Sequence, residues 1–129
     1  MAEGFVDGQP RAWLRAEGLF TLAVAAALYG ISDAAWLWFA VLFFAPDVSF
    51  LGYLAGSKVG GAAYNVMHSY VSPLALSVAL LFSSESVGLP LIWFAHIGFD
   101  RALGFGLKYP SAFHDTHLGR IGRTSEPQR

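Results

Sequence analysis

LIWFAHIGFDRALGFGLKY, Leu91 to Tyr109, is the stretch that decides how the chain is read. It is apolar enough to cross a membrane, yet it holds His96, Asp100 and Arg101 in its interior. Residues four apart on a helix share a face, so His96 and Asp100 point the same way. Ionisable groups inside a spanning segment are costly there and mark a candidate functional site.

The whole chain agrees with a membrane setting. Of its 129 residues, 55% are hydrophobic and 13% charged. A soluble domain of this size has too little interior to hide that much apolar surface. The absence of cysteine excludes disulfides, thiolate metal sites and cysteine nucleophiles. The net charge of −1 argues against nucleic acid as a partner. The lipid bilayer is the expected surrounding.

Four apolar segments follow one another, predicting an all-α fold: an integral membrane four-helix bundle. Residues 1–10 read as a flexible N-terminal tail, 11–122 as the transmembrane domain with a polar C-terminal segment, and 123–129 as a disordered tail. The first segment runs from Ala12 to Ile31, with Glu17 near its start as an interfacial carboxylate. The second runs from Ala34 to Ala55 and opens with the belt pair Trp36 and Trp38. Pro46 interrupts it, which places Asp47 beside freed backbone, either capping the second half or building a polar site. The third runs from Gly60 to Phe82 and carries Tyr64, Asn65 and His68 on one face, with Pro73 as a further kink. Its Gly60, Gly61, Ala62 and Ala63 would admit a close neighbour, making a homo-oligomer an expected partner. The fourth runs from Val87 to Leu107. Lys108 and Tyr109 then fall where snorkelling and belt residues belong.

Charge sets the orientation. Arg11, Arg15, Lys58, Lys108, Arg120, Arg123 and Arg129 fall on one side, and only Asp33 and Glu85 on the other. Both termini are therefore expected in the cytoplasm, and the protein in the cell membrane as a multi-pass chain. At the helical rise, Asp47 lies about 12 Å from the cytoplasmic end of its segment, His68 and Asp100 about 10 Å, and His96 about 16 Å. Antiparallel segments do not force such depths to agree, whereas one shared buried site would.

Asp47, His68, His96 and Asp100 are accordingly the candidate metal ligands, with His117 of the tail as a fifth. Nitrogen and oxygen donors suit zinc, manganese or iron. An open position would leave room for an activated water. Asp47, Asp100 and Arg101 are the candidate catalytic residues. Asn65, Arg101 and Tyr109 are the candidate substrate contacts, Arg101 holding an anionic group unless it pairs with Asp47, Asp100 or Glu17. Two alternatives use the same side chains: a structural or proton-relay network, as in a small transporter or assembly subunit, and a haem held between His68 and His96.

The runs PDVSFLGYLAG (46–56), AAYNVMHSY (62–70), WFAHIGFDRALGFGLKYPSAF (93–113) and DTHLGRIG (115–122) resemble the small bacterial membrane family named "domain of unknown function 4260". The resemblance covers residues 13–122 and implies a membrane protein without implying an activity. Where that family is associated with GYGLKY, this chain has Phe105, so no tyrosine hydroxyl is required there. In outline, Asp47, His68, His96 and Asp100 are also similar to the pattern of small membrane-bound metal-dependent hydrolases. The expected function is a metal-dependent membrane hydrolase acting on an amphipathic substrate.

Overall fold

The computed structural model describes residues 4–83 and 85–122. The tails at 1–3 and 123–129 lie outside the described residues. The protein is mostly helical, as expected. Helix α1, Gly8–Ile31, has Pro10 in its first turn, where a missing N–H costs nothing. Gly8 to Pro10 thus belong to a helix rather than a tail, and Val6 donates its N–H to the His117 carbonyl at 2.7 Å. Tyr29, buried near the end of α1, donates its hydroxyl to the Ala35 carbonyl at 2.7 Å. Its ring meets Trp36 and Phe39, each at 5.1 Å, which fixes the turn into the next segment.

Helix α2 is only Trp36–Leu42. Beyond Phe43 and Phe44 the chain rewinds as a 3-10 helix, Ala45–Ala55, with Pro46 at its start. Proline bars continuation of the α ladder through this point. Three residues per turn put Asp47, Phe50 and Tyr53 in one line. All three face the next helix: Asp47 meets His68, Phe50 packs on Tyr64, and Gly60 accepts the Tyr53 ring. The cap position of this segment falls on Phe44 rather than Asp47, with no side-chain capping bond among the described residues.

Helix α3 is Ser57–His68 and α4 is Val71–Phe82, bent by 46° at the break. The break falls one turn before Pro73, whose ring excludes the carbonyl four residues earlier. Gly60 and Gly61 are buried against Tyr53 and the Lys108–Tyr109 backbone. These two glycines of the small face are thus used within the chain, while Ala62 is exposed.

Helix α5, Gly88–Leu103, ends earlier than the expected Leu107. Gly104 takes the left-handed conformation at φ 91°, and Phe105 N–H returns to the Asp100 carbonyl at 2.8 Å. This is the glycine-terminated stop that closes many helices. The polar segment after it is not an irregular tail. It folds back as two short antiparallel strands, β1 Asp115–Thr116 and β2 Gly119–Arg120, with Lys108 bridged to Thr116. Leu118 and Thr116 are buried there. The expectation of a purely α-helical chain is corrected by this small β element.

Among the described residues two segments are long and apolar enough to cross a membrane: α1, and Trp36–Ala55 taken through its rewinding. The α3–α4 pair makes a third if it counts as one bent span. With 16 residues, α5 is about 24 Å long and falls short of the roughly 20 residues of a full span. Most large apolar side chains outside the small core are exposed, Phe82 and Leu54 both at 88%.

Helix α5 is held chiefly by α1. A Cβ on Gly98 would stand 2.8 Å from Leu22 N, and one on Gly18 would stand 2.8 Å from the Gly98 carbonyl. Backbones approach this closely only at small residues. Gly98→Leu is therefore expected to destabilise the fold by at least about 1–3 kcal/mol, the usual cost of overpacking. A lower melting temperature in detergent is the expected readout, and unchanged melting would mean that α1 and α5 do not touch there.

Candidate metal centre

Asp47, His68, His96 and Asp100 meet between the 3-10 helix, the end of α3 and the middle of α5. One donor atom from each lies within 4.8 Å of all the others. His68 Nε2 is 3.0 Å from His96 Nε2, 3.2 Å from Asp47 Oδ1 and 3.5 Å from Asp100 Oδ2. His96 Nε2 is 3.3 Å from each of the same two oxygens. Donor atoms about 2.0–2.1 Å from a tetrahedral zinc stand about 3.3 Å from each other. The five spacings fall around that edge length.

Asp47 and His68 owe their places to local interruptions, whereas His96 and Asp100 lie one turn apart within α5. Asp47 follows Pro46 in the rewound segment. His68 is the last residue of α3, where the Pro73 break opens two carbonyls. Both are taken by α5: Trp93 Nε1 donates to the Met67 carbonyl at 2.6 Å, and Arg101 Nη2 to the His68 carbonyl at 3.1 Å. The helix that supplies His96 and Asp100 therefore also caps the helix that supplies His68.

The imidazole of His68 is oriented from behind. Its Nδ1–H donates to the Tyr64 carbonyl at 2.9 Å, which leaves the Nε2 lone pair facing the cluster. Tyr64 stacks on the same ring at 3.7 Å and 6°. The edges of Phe43 and Phe44 close over His96. Nδ1 of His96 is buried without a hydrogen-bond partner among the described residues.

The set opens at one member. The side chain of Asp47 is 31% exposed, against 14% for Asp100 and 3% or less for the histidines. Its chain neighbours Phe44, Val48 and Leu51 are exposed apolar residues. Beside the cluster lies an apolar cavity of about 210 Å³, lined by Leu42, Pro46, Met67, Leu89, Ile92 and Trp93 among others. Pro46 and Met67 directly precede Asp47 and His68 in the chain.

The remaining expected residues stand elsewhere. His117 does not join the four. Its Nδ1 accepts the Leu107 N–H at 2.8 Å and its Nε2 lies 3.1 Å from Arg101 Nη1. Burial, then the Arg101 charge, pushes its pKa below the usual value, so it is neutral at pH 7. Arg101 has no carboxylate within 4.0 Å among the described residues, and its guanidinium is spent on the end of α3. Asn65 is fully used: Nδ2 donates to the Lys108 carbonyl at 2.8 Å and Oδ1 accepts the Lys108 N–H at 2.6 Å. It fastens the C-terminal segment to α3. Tyr109 donates its hydroxyl to the Gly4 carbonyl. Glu17 is exposed on α1, outside the cluster. A haem between His68 and His96 does not fit, because two axial nitrogens would stand about 4 Å apart, twice a metal–nitrogen bond. The observed 3.0 Å leaves no gap for the ring.

Lys108 departs from the snorkelling expectation. It is 4% exposed, with Nζ donating to the Phe113 carbonyl at 2.9 Å. The ammonium lies 3.9 Å from the Phe113 ring centre and 4.8 Å from that of Tyr64. Nothing in the sequence announced this, because the pocket exists only once residues 104–122 fold back.

A helical protein with apolar segments long enough to cross a membrane, enclosing a buried Asp/His cluster, is the class that fold and site define. The chain belongs to the family of the domain of unknown function 4260, whose model matches residues 11–121. No curated protein and no solved structure matches it.

Lys108 gives the fold a pH signature. Burial lowers its pKa from 10.5 to about 8, Asp100 opposing the shift. Below pH 8 folded and unfolded chains both carry the charge, and the burial penalty is present in full. From about pH 8 to 10.5 the unfolded chain still holds a proton that the folded chain has lost, so stability rises with pH across that window. Lys108→Met is expected to remove the rise, read as melting temperature in detergent from pH 7.5 to 10.5. The same slope in the variant would refute the assignment.

Proposed function

We propose that the protein binds one divalent metal ion through Asp47, His68, His96 and Asp100 and hydrolyses an amphipathic substrate at that centre. The observation that carries this reading is the convergence of four electron-rich atoms within 4.8 Å of one another, five of their six spacings near a tetrahedral edge. With neutral imidazoles the set holds two negative charges, which a divalent ion balances. Protons can join these atoms only in pairs, whereas one ion at the centre meets all four at once. The donor set suits zinc, manganese or iron. A bound ion of this kind supplies Lewis acidity toward a carbonyl or phosphoryl oxygen.

The residues then divide the work. His68, His96 and Asp100 are enclosed and hold the ion. Asp47, the accessible fourth ligand, would give up its place on the ion to an attacking water and accept that water's proton. Arg101 acts through His68, whose carbonyl it holds, rather than on substrate. The apolar cavity beside the cluster and the apolar exposed residues around Asp47 support a substrate with a hydrocarbon portion arriving from the bilayer.

In the same proposal the chain is a multi-pass protein of the cell membrane with four spans and both termini in the cytoplasm. The spans are α1, α2 with the 3-10 helix, α3 with α4, and α5. The one-sided distribution of lysine and arginine supports the orientation. The short α5 is accommodated by local thinning of the bilayer and by its packing on α1.

One contact favours a second reading. The two Nε2 atoms at 3.0 Å can share a proton, as in the relay of a small transporter or assembly subunit. Elemental analysis of untagged protein purified in detergent separates the readings. The metal centre predicts about one zinc, manganese or iron per chain, and His96→Ala is expected to weaken binding by more than the roughly 10–100-fold typical of an outer-shell partner. Protein that is folded, free of metal and unable to take up added ions would turn the assignment to the relay.

A further inference from the structure

Two arginines outside the cluster make a second site. Arg11 and Arg15 lie one turn apart near the start of α1. Each spends its Nε on a carbonyl: Arg11 on Leu118 at 2.7 Å, Arg15 on Ala102 at 2.9 Å. Those two bonds pin both guanidiniums to the C-terminal segment and to the end of α5. Their terminal amino groups remain to be accounted for.

The two guanidiniums converge on one spot. A Cβ built on Gly104 would stand 2.7 Å from Arg11 Nη2 and 3.9 Å from Arg15 Nε. One on Gly119 would stand 4.0 Å from Arg11 Nε. Both glycines have positive φ, 91° and 117°, which bars ordinary side chains, and at Gly104 the missing Cβ lets the Arg11 guanidinium approach the backbone closely. Neither arginine has a carboxylate within 4.0 Å among the described residues. Two half-buried cations brought together without a counter-charge repel each other, and an anion bound between them removes that cost.

We propose that Arg11 and Arg15, over Gly104, bind a phosphate group. Two forked guanidiniums suit the spread oxygens of a phosphate better than a point charge does. The setting favours the headgroup phosphate of a membrane lipid. The site lies near one end of the 24-residue apolar helix α1, and Trp13, between the two arginines in sequence, is 70% exposed. Free phosphate offers the same oxygens without the chains. Gly104 follows Asp100 by one turn of α5, so a bound headgroup would sit about 6 Å further along that helix than the Asp/His cluster. The site stands whether or not that cluster binds a metal.

The test is thermal denaturation of the full chain in a neutral detergent with dioctanoyl phosphatidic acid, inorganic phosphate or dioctanoylglycerol added. The phosphatidic acid is expected to raise the melting temperature in a saturable way, with an apparent affinity about tenfold weaker in Arg11→Gln/Arg15→Gln. An equal response to inorganic phosphate would keep the site and make free phosphate its ligand. No response to either phosphate, an equal response to dioctanoylglycerol, or an undiminished response in the variant would overturn it. Arg15→Gln alone, which leaves the Arg11–Leu118 bond in place, gives the same reading if the double variant does not fold.

Discussion

Two carboxylates and two imidazole nitrogens are held together where the surroundings are largely aromatic and aliphatic. Atoms that each carry a lone pair or a charge do not assemble in such a place unaided, because their mutual repulsion grows as solvent screening falls. Something positive must stand among them. Arg101 and Lys108 are the nearby cations in the sequence, but each is engaged elsewhere: Arg101 on the His68 carbonyl and Lys108 on the Phe113 carbonyl and two aromatic rings. The requirement therefore falls on a proton or a metal ion at the centre itself, and the geometry of the chain is built around meeting it.

Interruptions in the helices serve that end. A straight helix presents one residue per turn to a given point, and its backbone is closed to side-chain donors. Pro46 changes the winding from 3.6 to 3 residues per turn and lines Asp47 up with Phe50 and Tyr53. Pro73 ends α3 at His68 and opens the Met67 and His68 carbonyls to Trp93 and Arg101. Gly104 ends α5 one turn past Asp100. Such interruptions free backbone groups that would be costly in an apolar setting, and those at the ends of α3 and α5 are answered from neighbouring elements, the Met67 and His68 carbonyls by α5 and the Ala102 carbonyl by Arg15. The same bonds that repair the backbone fix the ligands.

The outline of this arrangement could be read from the sequence because membrane segments are governed by strong, local rules. Hydropathy gave the segments, and the cost of burying charge singled out Asp47, His68, His96 and Asp100, whose donor atoms do meet. Pro73 signalled the bend of α3 into α4. What could not be read depended on contacts between distant parts. Asn65, on the His68 side of its helix, reads from sequence as a substrate contact, but its amide matches the Lys108 backbone 43 residues away. His117 was placed near the centre by its position just past the fourth segment, yet the turn between β1 and β2 carries it to Arg101 instead. The mostly helical fold was legible, but the small β element was not, since two-residue strands carry no periodicity to detect.

The C-terminal segment bears on how the centre is protected. It reaches α3 through Asn65 and the N-terminal residues through Val6 and Tyr109. Phe113 from this segment packs on Phe50, whose ring also meets that of His68, and Lys108 lies over Tyr64, which stacks on His68. These contacts close the Tyr64 side of His68, and Phe43 and Phe44 cover His96. The route that remains is past Asp47, beside exposed Phe44, Val48 and Leu51. A group that reaches the cluster past Asp47 therefore meets apolar surface first, and this is the ground on which an amphipathic substrate is proposed.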